Sequence, residues 1–228
     1  MADDCSLNTE IHNIKQTMGK RLIAFIFILF QIALTGQVLP DSAILKSSAP
    51  ERFKVLFETS KGSFTIEVIR AWSPLGADRF FRLVKTGFYN NNAIFRVQKE
   101  YVIQFGISDN KEVNEFWDKH PIHDEPIKAS NVKGSVSFAR DGAETRTAQL
   151  FINMKDNLKL DTVNYNGLRG FPPIGRVISN FETIESFNAE YGFEPANHQD
   201  SIMLKGNEYL KRMFPDLDYI HRAFIINE

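Results

Sequence analysis

The chain has one cysteine in 228 residues, and Cys5 sits at the extreme N-terminus. No disulfide framework can be built from it, so a packed apolar core must hold the fold. Charge of one sign is also lacking. There are 27 Lys and Arg against 28 Asp and Glu, a formal net charge of −1, with the two signs interspersed along the chain. That excludes a basic stripe for nucleic acid or an anionic membrane surface, and leaves a peptide, a small ligand or another protein as the partner. No Gly-x-Ser-x-Gly elbow and no phosphate-cradling glycine loop occur, and Ser135, Ser137 and His198 make no recognisable triad. No internal repeat or low-complexity tract is present.

Long hydrophobic runs are scarce too, with one exception. Lys20-Arg21 precedes an apolar run from Leu22 to Leu34, followed by Thr35-Gly36-Gln37. At 13 residues the run is short of the ~20 that a membrane span needs, and it is apolar on every face, unlike a core helix. A basic n-region, an apolar h-region and small residues after it describe a secretory signal peptide, with a retained N-terminal anchor as the rival. Met18 stands just before the basic pair, where translation could begin. Residues 1–36 are therefore read as extension plus signal or anchor, 37–50 as a linker without apolar period, and 51–228 as one domain.

What is abundant is phenylalanine, 20 of them. Phe53, Val55 and Phe57 alternate with polar residues, as do Phe64, Ile66 and Val68, and Ser60-Lys61-Gly62-Ser63 lies between: an antiparallel hairpin. Ser73-Pro74 then opens a helix whose buried face is Ala77, Phe80, Phe81 and Val84, ended at Gly87. Short strands are expected at 93–97, 102–105, 134–139, 149–153 and 174–178, separated by polar loops. Phe181, Ile184, Phe187 and Tyr191 suggest a second helix stopped by Gly192. A short helix at 207–214, halted by Pro215, and a last strand at 219–226 form a C-terminal extension. Many short strands with two main helices argue for a mainly β fold, a closed antiparallel barrel capped by helices, and against a doubly wound sheet.

Five stretches then stand in order: Gly87-Phe-Tyr-Asn-Asn-Asn-Ala-Ile-Phe-Arg96-Val; Tyr101-Val-Ile-Gln104-Phe-Gly106; Gly134-Ser-Val-Ser-Phe-Ala-Arg140; Thr145-Arg-Thr-Ala-Gln149-Leu-Phe151-Ile-Asn153; and Gly170-Phe-Pro-Pro-Ile-Gly175-Arg-Val177. From Phe53 to Val177 the chain resembles the cyclophilin family of peptidyl-prolyl cis/trans isomerases, in particular its bacterial-type, exported branch. The tail from Gly206-Asn-Glu-Tyr-Leu to Ile220 looks like that branch's C-terminal extension. The resemblance implies an eight-stranded closed antiparallel barrel with a helix over each end, a proline-binding groove on its outer surface, and no cofactor or metal. Proline-containing peptides and unfolded client proteins are the implied partners, cyclosporin-like macrocycles a further one, and the protein is expected to act as a monomer.

The chemistry such a site needs is modest. Rotation about an X–Pro bond meets a barrier of about 18–20 kcal/mol because amide resonance must be broken, yet no bond is made or cleaved. A fixed cation donating to the twisted amide favours the transition state over both planar ground states. Arginine stays charged when partly desolvated and offers a rigid fork of donors. By resemblance, Arg96 is that cation and Gln104 its holder. Tyr101, Phe151 and Leu160 line the proline pocket, with Val102 at its edge. Ala139 and Arg140 offer backbone groups to the residue before proline, Gln149 is the groove floor, and Phe171 stands where the family has a pocket histidine. Read alone, Phe151 and Leu160 are ordinary core residues and Arg96 a surface arginine on a strand.

The chain also departs from the family. Lys99-Glu100-Tyr101 replaces Pro-Gly-Phe, Phe105-Gly106 replaces Gly-Gly, Lys159 takes the position of a pocket tryptophan, and Thr162–Arg169 are extra residues. These bear on substrate preference, rate and macrocycle binding. The alternative function is a cyclophilin-like peptide-binding or chaperone module that has lost catalysis; a barrel carrying a ligand inside is disfavoured, because so much Phe would fill the lumen. Asp118, His120, His123, Asp124 and Glu125 could be drawn as a metal cluster, but they fall in a polar loop and a metal is not expected.

Overall fold

A computed structural model describes residues 37–165 and 167–227. The proposed signal segment, Cys5 and Met18 lie outside the described residues. Among those described, no helix is long and apolar enough to cross a membrane.

The alternation of Phe53, Val55 and Phe57 with polar residues becomes β1 (Arg52–Thr59), and that of Phe64, Ile66 and Val68 becomes β2 (Gly62–Ile69). Thr59 pairs with Gly62, so the turn has only Ser60 and Lys61 at its tip. Gly62 takes φ +125°, a conformation that L side chains rarely adopt. The strands that follow are β3 (Asn92–Ala93), β4 (Arg96–Val97), β5 (Val102–Phe105), β6 (Ser135–Phe138), β7 (Leu150–Asn153), a small hairpin β8 (Asn164–Tyr165) and β9 (Leu168–Arg169), then β10 (Pro173–Ser179) and β11 (Tyr219–Asn227). Among the described residues the main sheet has nine strands in the order β3-β11-β1-β2-β10-β6-β7-β5-β4, every pairing antiparallel.

That count corrects the closed eight-stranded expectation. The two edge strands, β3 and β4, are separated in the chain by Ile94 and Phe95 alone. One segment therefore pairs with β11 through its first half and with β5 through its second. The sheet curls until its edges are consecutive in sequence, and the single strand expected at 93–97 is split where it changes partner. The hydrogen-bond ladder is interrupted there, because a short bent segment cannot hold both neighbours at one register.

Inside the curl, Phe53, Phe57, Phe64, Phe105, Phe138, Leu150 and Ile152 join one buried cluster. Phe57 and Phe64 stack at 5.0 Å, and Phe105 meets Phe57 edge-on at 5.7 Å. Helix α2 (Pro74–Lys85) adds Phe80 and Phe81, and the shorter α4 (Phe181–Glu185) adds Ile184. Two more helices were not expected from the sequence: α1 (Ser42–Lys46) and α3 (Lys111–Asp118). Asn110 caps α3 by accepting the Val113 N–H at 3.1 Å, and Val113 and Trp117, four apart, are buried together.

The 37–50 segment is not a free linker. Val38 N–H bonds to the Thr86 carbonyl at 3.1 Å, Ala49 N–H to Asp78 Oδ1 at 2.8 Å, and Arg82 Nε to the Ser47 carbonyl at 2.8 Å, so the segment is strapped to α2. Its polar composition hid this, because the strap is held by backbone groups. The second helix is shorter than its apolar period suggested. After α4 the Asn188 N–H is taken by Asp218 Oδ2 at 2.7 Å, which turns the backbone out of the helix. Finally, α5 (Gln199–Met213) begins well before residue 207 and is kinked at Gly206 (φ 60°, ψ −151°), where the Asn207 N–H bonds to Asp109 Oδ1 at 2.6 Å.

Candidate active site

Strand parity builds the site. In β5, Ile103 and Phe105 point into the core, so Val102 and Gln104 face outward; in β7, Leu150 and Ile152 point in and Phe151 faces out. Register then aligns the outward residues across the sheet: Arg96 opposite Gln104, Gln104 opposite Phe151, Phe151 opposite Ser137. The result is a groove of about 890 Å³ whose walls include all ten residues singled out from the sequence: Arg96, Tyr101, Val102, Gln104, Ala139, Arg140, Gln149, Phe151, Leu160 and Phe171.

The apolar end is a small cluster separate from the main core. Val102, Phe151 and Leu160 are buried in it, with Ala139 and Phe171 packed alongside. Phe171 meets Phe151 edge-on at 5.7 Å and lies under the Arg140 guanidinium at 4.9 Å. Among the extra residues, Val163 joins the groove wall. They fold back as the β8–β9 hairpin, Gly170 N–H closes onto the Val163 carbonyl at 2.8 Å, and Phe171 N–H bonds to the Leu160 carbonyl at 2.9 Å. Leu160 and Phe171 thus become neighbours across the insertion. Lys159, which takes the family's tryptophan position, is exposed.

Beneath the pocket lies a buried polar brace. Asn131 accepts from Ser137 Oγ and Asn153 Nδ2 at 3.1 Å each, and donates to Asp161 and the Phe171 carbonyl. Asn157 Nδ2 reaches the Tyr101 carbonyl at 2.8 Å, tying down the turn that lacks Pro-Gly. Ala139 spends its N–H on the Gln149 carbonyl at 2.9 Å. Arg140 is turned inward, its side chain only 1% exposed and paired with Asp124 at 3.1 Å. Burial lowers its pKa from the usual arginine range, while Asp124 acts in the opposite direction.

At the polar end, Arg96 is half-buried. Its Nε and Nη2 both donate to Gln98 Oε1, at 2.8 and 2.6 Å, and Nη1 donates to Gln104 Oε1 at 3.1 Å. Among the described residues, three of its five N–H groups are thus committed, and the remainder can address a ligand. The guanidinium carbon sits 5.4 Å from the centre of the Tyr101 ring and 4.7 Å from that of the Phe193 ring. Desolvation lowers its pKa and Tyr101 acts to raise it; an arginine starts so high that it stays cationic at neutral pH. Such an arrangement holds a cation beside an apolar pocket, with two rings and two amides fixing its direction.

The residues drawn as a metal cluster are occupied separately. Glu125 accepts the Leu75 and Gly76 N–H groups at 2.8 and 3.1 Å, capping α2, and pairs with the fully buried Arg146 at 3.1 Å. Asp124 serves Arg140, His123 pairs with Glu144 at 2.7 Å, and His120 stacks on Phe116 at 4.4 Å. Asp118, expected in a loop, is the last residue of α3.

Several site residues escaped the sequence reading. Gln98 stands two residues after Arg96, on the same face by parity, and could have been found that way. Asn131 and Asn157 lie in loops with no period. Phe193, Ala196, Gln199 and Met203 come from the C-terminal side of the chain and carried no signal toward the groove.

Comparison with known proteins agrees with this geometry. Residues 54–205 match the model of the cyclophilin type peptidyl-prolyl cis-trans isomerase family. The chain is 27% identical over 144 residues to a peptidyl-prolyl cis-trans isomerase of Acinetobacter baylyi, covering 62% of this chain and 75% of that one. It is 26% identical over 175 residues to peptidyl-prolyl cis-trans isomerase A of Dickeya dadantii, covering 75% and 85%. A cyclophilin type isomerase of Cryptosporidium parvum shares the fold at TM-score 0.55 and 19% identity, covering 78% of this chain and 99% of that one; a second structure of it was determined in the presence of the dipeptide Ala-Pro. The chain belongs to the family of cyclophilin-type peptidyl-prolyl cis-trans isomerases, enzymes that catalyse rotation about X–Pro amide bonds.

Proposed function

We propose that the groove takes an extended X–Pro segment of an unfolded polypeptide, with the proline ring on Phe151, Leu160, Val102 and Phe171, and that Arg96 catalyses its rotation. The carrying observation is the juxtaposition of a half-buried guanidinium, with N–H groups uncommitted, and an apolar pocket of proline's character at the other end of one outward stripe. Twisting the amide breaks its resonance and localises the lone pair on nitrogen, which becomes an acceptor that a nearby donor stabilises. Each 1.4 kcal/mol gained only in the twisted state is tenfold in rate, so one preorganised, desolvated donor supplies decades. Gln104 keeps the fork aimed, the Ala139 and Arg140 backbone lines the path of the residue before proline, and Gln149 forms the floor. No cofactor is needed, since no bond changes. The family relation supports folding clients as substrates and cyclosporin-like macrocycles as inhibitors; Phe171 and Lys159 would set how well the latter bind.

The reading extends to place. Lys20-Arg21 and the apolar run to Leu34 support export to a periplasm or secretory lumen, by a cleaved signal or a retained anchor. The test of function is a cis/trans exchange assay on short X–Pro peptides. Wild type above background with Arg96→Ala near background supports the reading; equal rates for the two would remove Arg96 from it. A wild type without activity would instead favour the peptide-binding module, for which the Lys99-Glu100 turn is the supporting observation.

A further inference from the structure

The arginine is held from one further direction. Arg96 has donors only, so the Gln104 amide must present its oxygen to it, and its Nε2 then donates to Gln149 Oε1 at 2.8 Å. Gln149 repeats the pattern, donating to Gln199 Oε1 at 2.8 Å, and Gln199 Nε2 ends the row on the Ala196 carbonyl at 3.2 Å. Every amide in this row carries its oxygen toward the guanidinium. A flip at any member would set two donors or two acceptors face to face, so the orientation of each depends on the next. The last member, Gln199, is the first residue of α5 and is 95 positions beyond Gln104 in the chain.

The same segment supplies the second ring. Val97 N–H, next to Arg96 on the edge strand β4, donates to the Gly192 carbonyl at 3.1 Å. Gly192 adopts φ +54°, which turns the chain there and delivers Phe193 over the guanidinium. Phe193 is 45% exposed, and its ring faces the Arg96 guanidinium. Ala196 and Ile202 anchor the segment in a second apolar cluster that also buries Phe95, the neighbour of Arg96 on its other side.

We propose that the segment from Gly192 to Gln199 is a positioning device for Arg96. Phe193 holds the guanidinium plane and Gln199 sets the polarity of the amide row that aims it. The inference rests on the reading of Arg96 as the catalytic cation, and adds to it that the aim is set from the C-terminal part of the chain. Neither residue needs to touch the substrate.

The experiment compares Phe193→Leu, Gln199→Leu and Gln199→Glu with wild type and Arg96→Ala, measuring kcat and KM on an X–Pro peptide, melting temperature, and the Arg96 Nε–Hε NMR signal. The geometry predicts that Gln199→Leu and Phe193→Leu lower kcat about tenfold, within the ~100-fold that a 1 Å misplacement can cost, with KM changed less. Gln199→Glu keeps an acceptor for Gln149 Nε2 and recovers most of the rate, although it loses the bond to Ala196. In Phe193→Leu the ring-current shift of the Arg96 signal is lost. Wild-type kcat in both leucine variants overturns the proposal while Arg96→Ala stays inactive. A fallen kcat with an unmoved Arg96 signal overturns it equally, because the effect would not pass through the arginine. If Arg96→Ala is fully active, the catalytic reading beneath fails instead, and the NMR signals alone decide whether the segment positions the side chain.

Discussion

The two faces of β5 and β7 differ sharply although they share the same eight residues. Inward, Ile103, Phe105, Leu150 and Ile152 merge with the Phe-rich interior. Outward, Val102, Gln104, Phe151 and Asn153 meet a small apolar cluster, an amide row and a buried asparagine brace. The inner face is held by area and shape and tolerates no gap. The outer face is held by directed hydrogen bonds, and those leave an arginine fixed but not fully spent. Stability is concentrated on one side of the strand and function on the other, about one side chain apart.

Substitutions on the two faces should separate these properties. The largest effect is expected inside: Phe105→Ala empties a site among Phe57, Tyr89 and the sheet and should cost about 3–5 kcal/mol, read as a lower denaturation midpoint. Next, Arg96→Ala on the outer face should lower kcat/KM by about 10²–10³ while the melting temperature moves little, since the guanidinium is half-buried and lines an open groove, where water can replace it at the two amide oxygens. Comparable loss of stability in both variants would erase the distinction. Phe151→Ala lies between them: removing the pocket wall should raise KM roughly tenfold and also cost a few kcal/mol, because the ring is buried and supports Phe171.

The smallest effect concerns β11, far from either face. Burial raises the Tyr219 hydroxyl to about 12, and Asp109 adds to the shift. An unfolded tyrosine ionises near pH 10, so between about 10 and 12 the folded chain binds more protons than the unfolded one. Stability from this group is therefore retained below pH 10 and lost as pH rises through that window. Tyr219→Phe should lose less stability than wild type from pH 9 to 11 in urea titrations; parallel curves would discount the shift.

Much of this was legible locally. The β1–β2 hairpin and α2 followed from period and caps, because alternation and helical spacing are local. The ten groove residues followed only from the family resemblance that five ordered motifs carry, since read alone Phe151 and Leu160 are core residues and Arg96 a surface arginine. The parts that were missed share a cause. The strap at 37–50 and α1 are held by backbone bonds that polar composition does not announce, and the ring closure depends on where one short segment exchanges β11 for β5.

The sequence by itself determined the β1–β2 hairpin, α2 and the place of most strands, and through its resemblance to a family it named the groove-lining residues around Arg96. Only the tertiary structure decided what surrounds that arginine: Phe193 lies 97 residues away and Gln199 farther still, brought there by a backbone bond from Val97 to Gly192 and a shared apolar cluster. Periodicity is a property of neighbours along the chain. The aim of a side chain depends on whatever the rest of the fold packs against it.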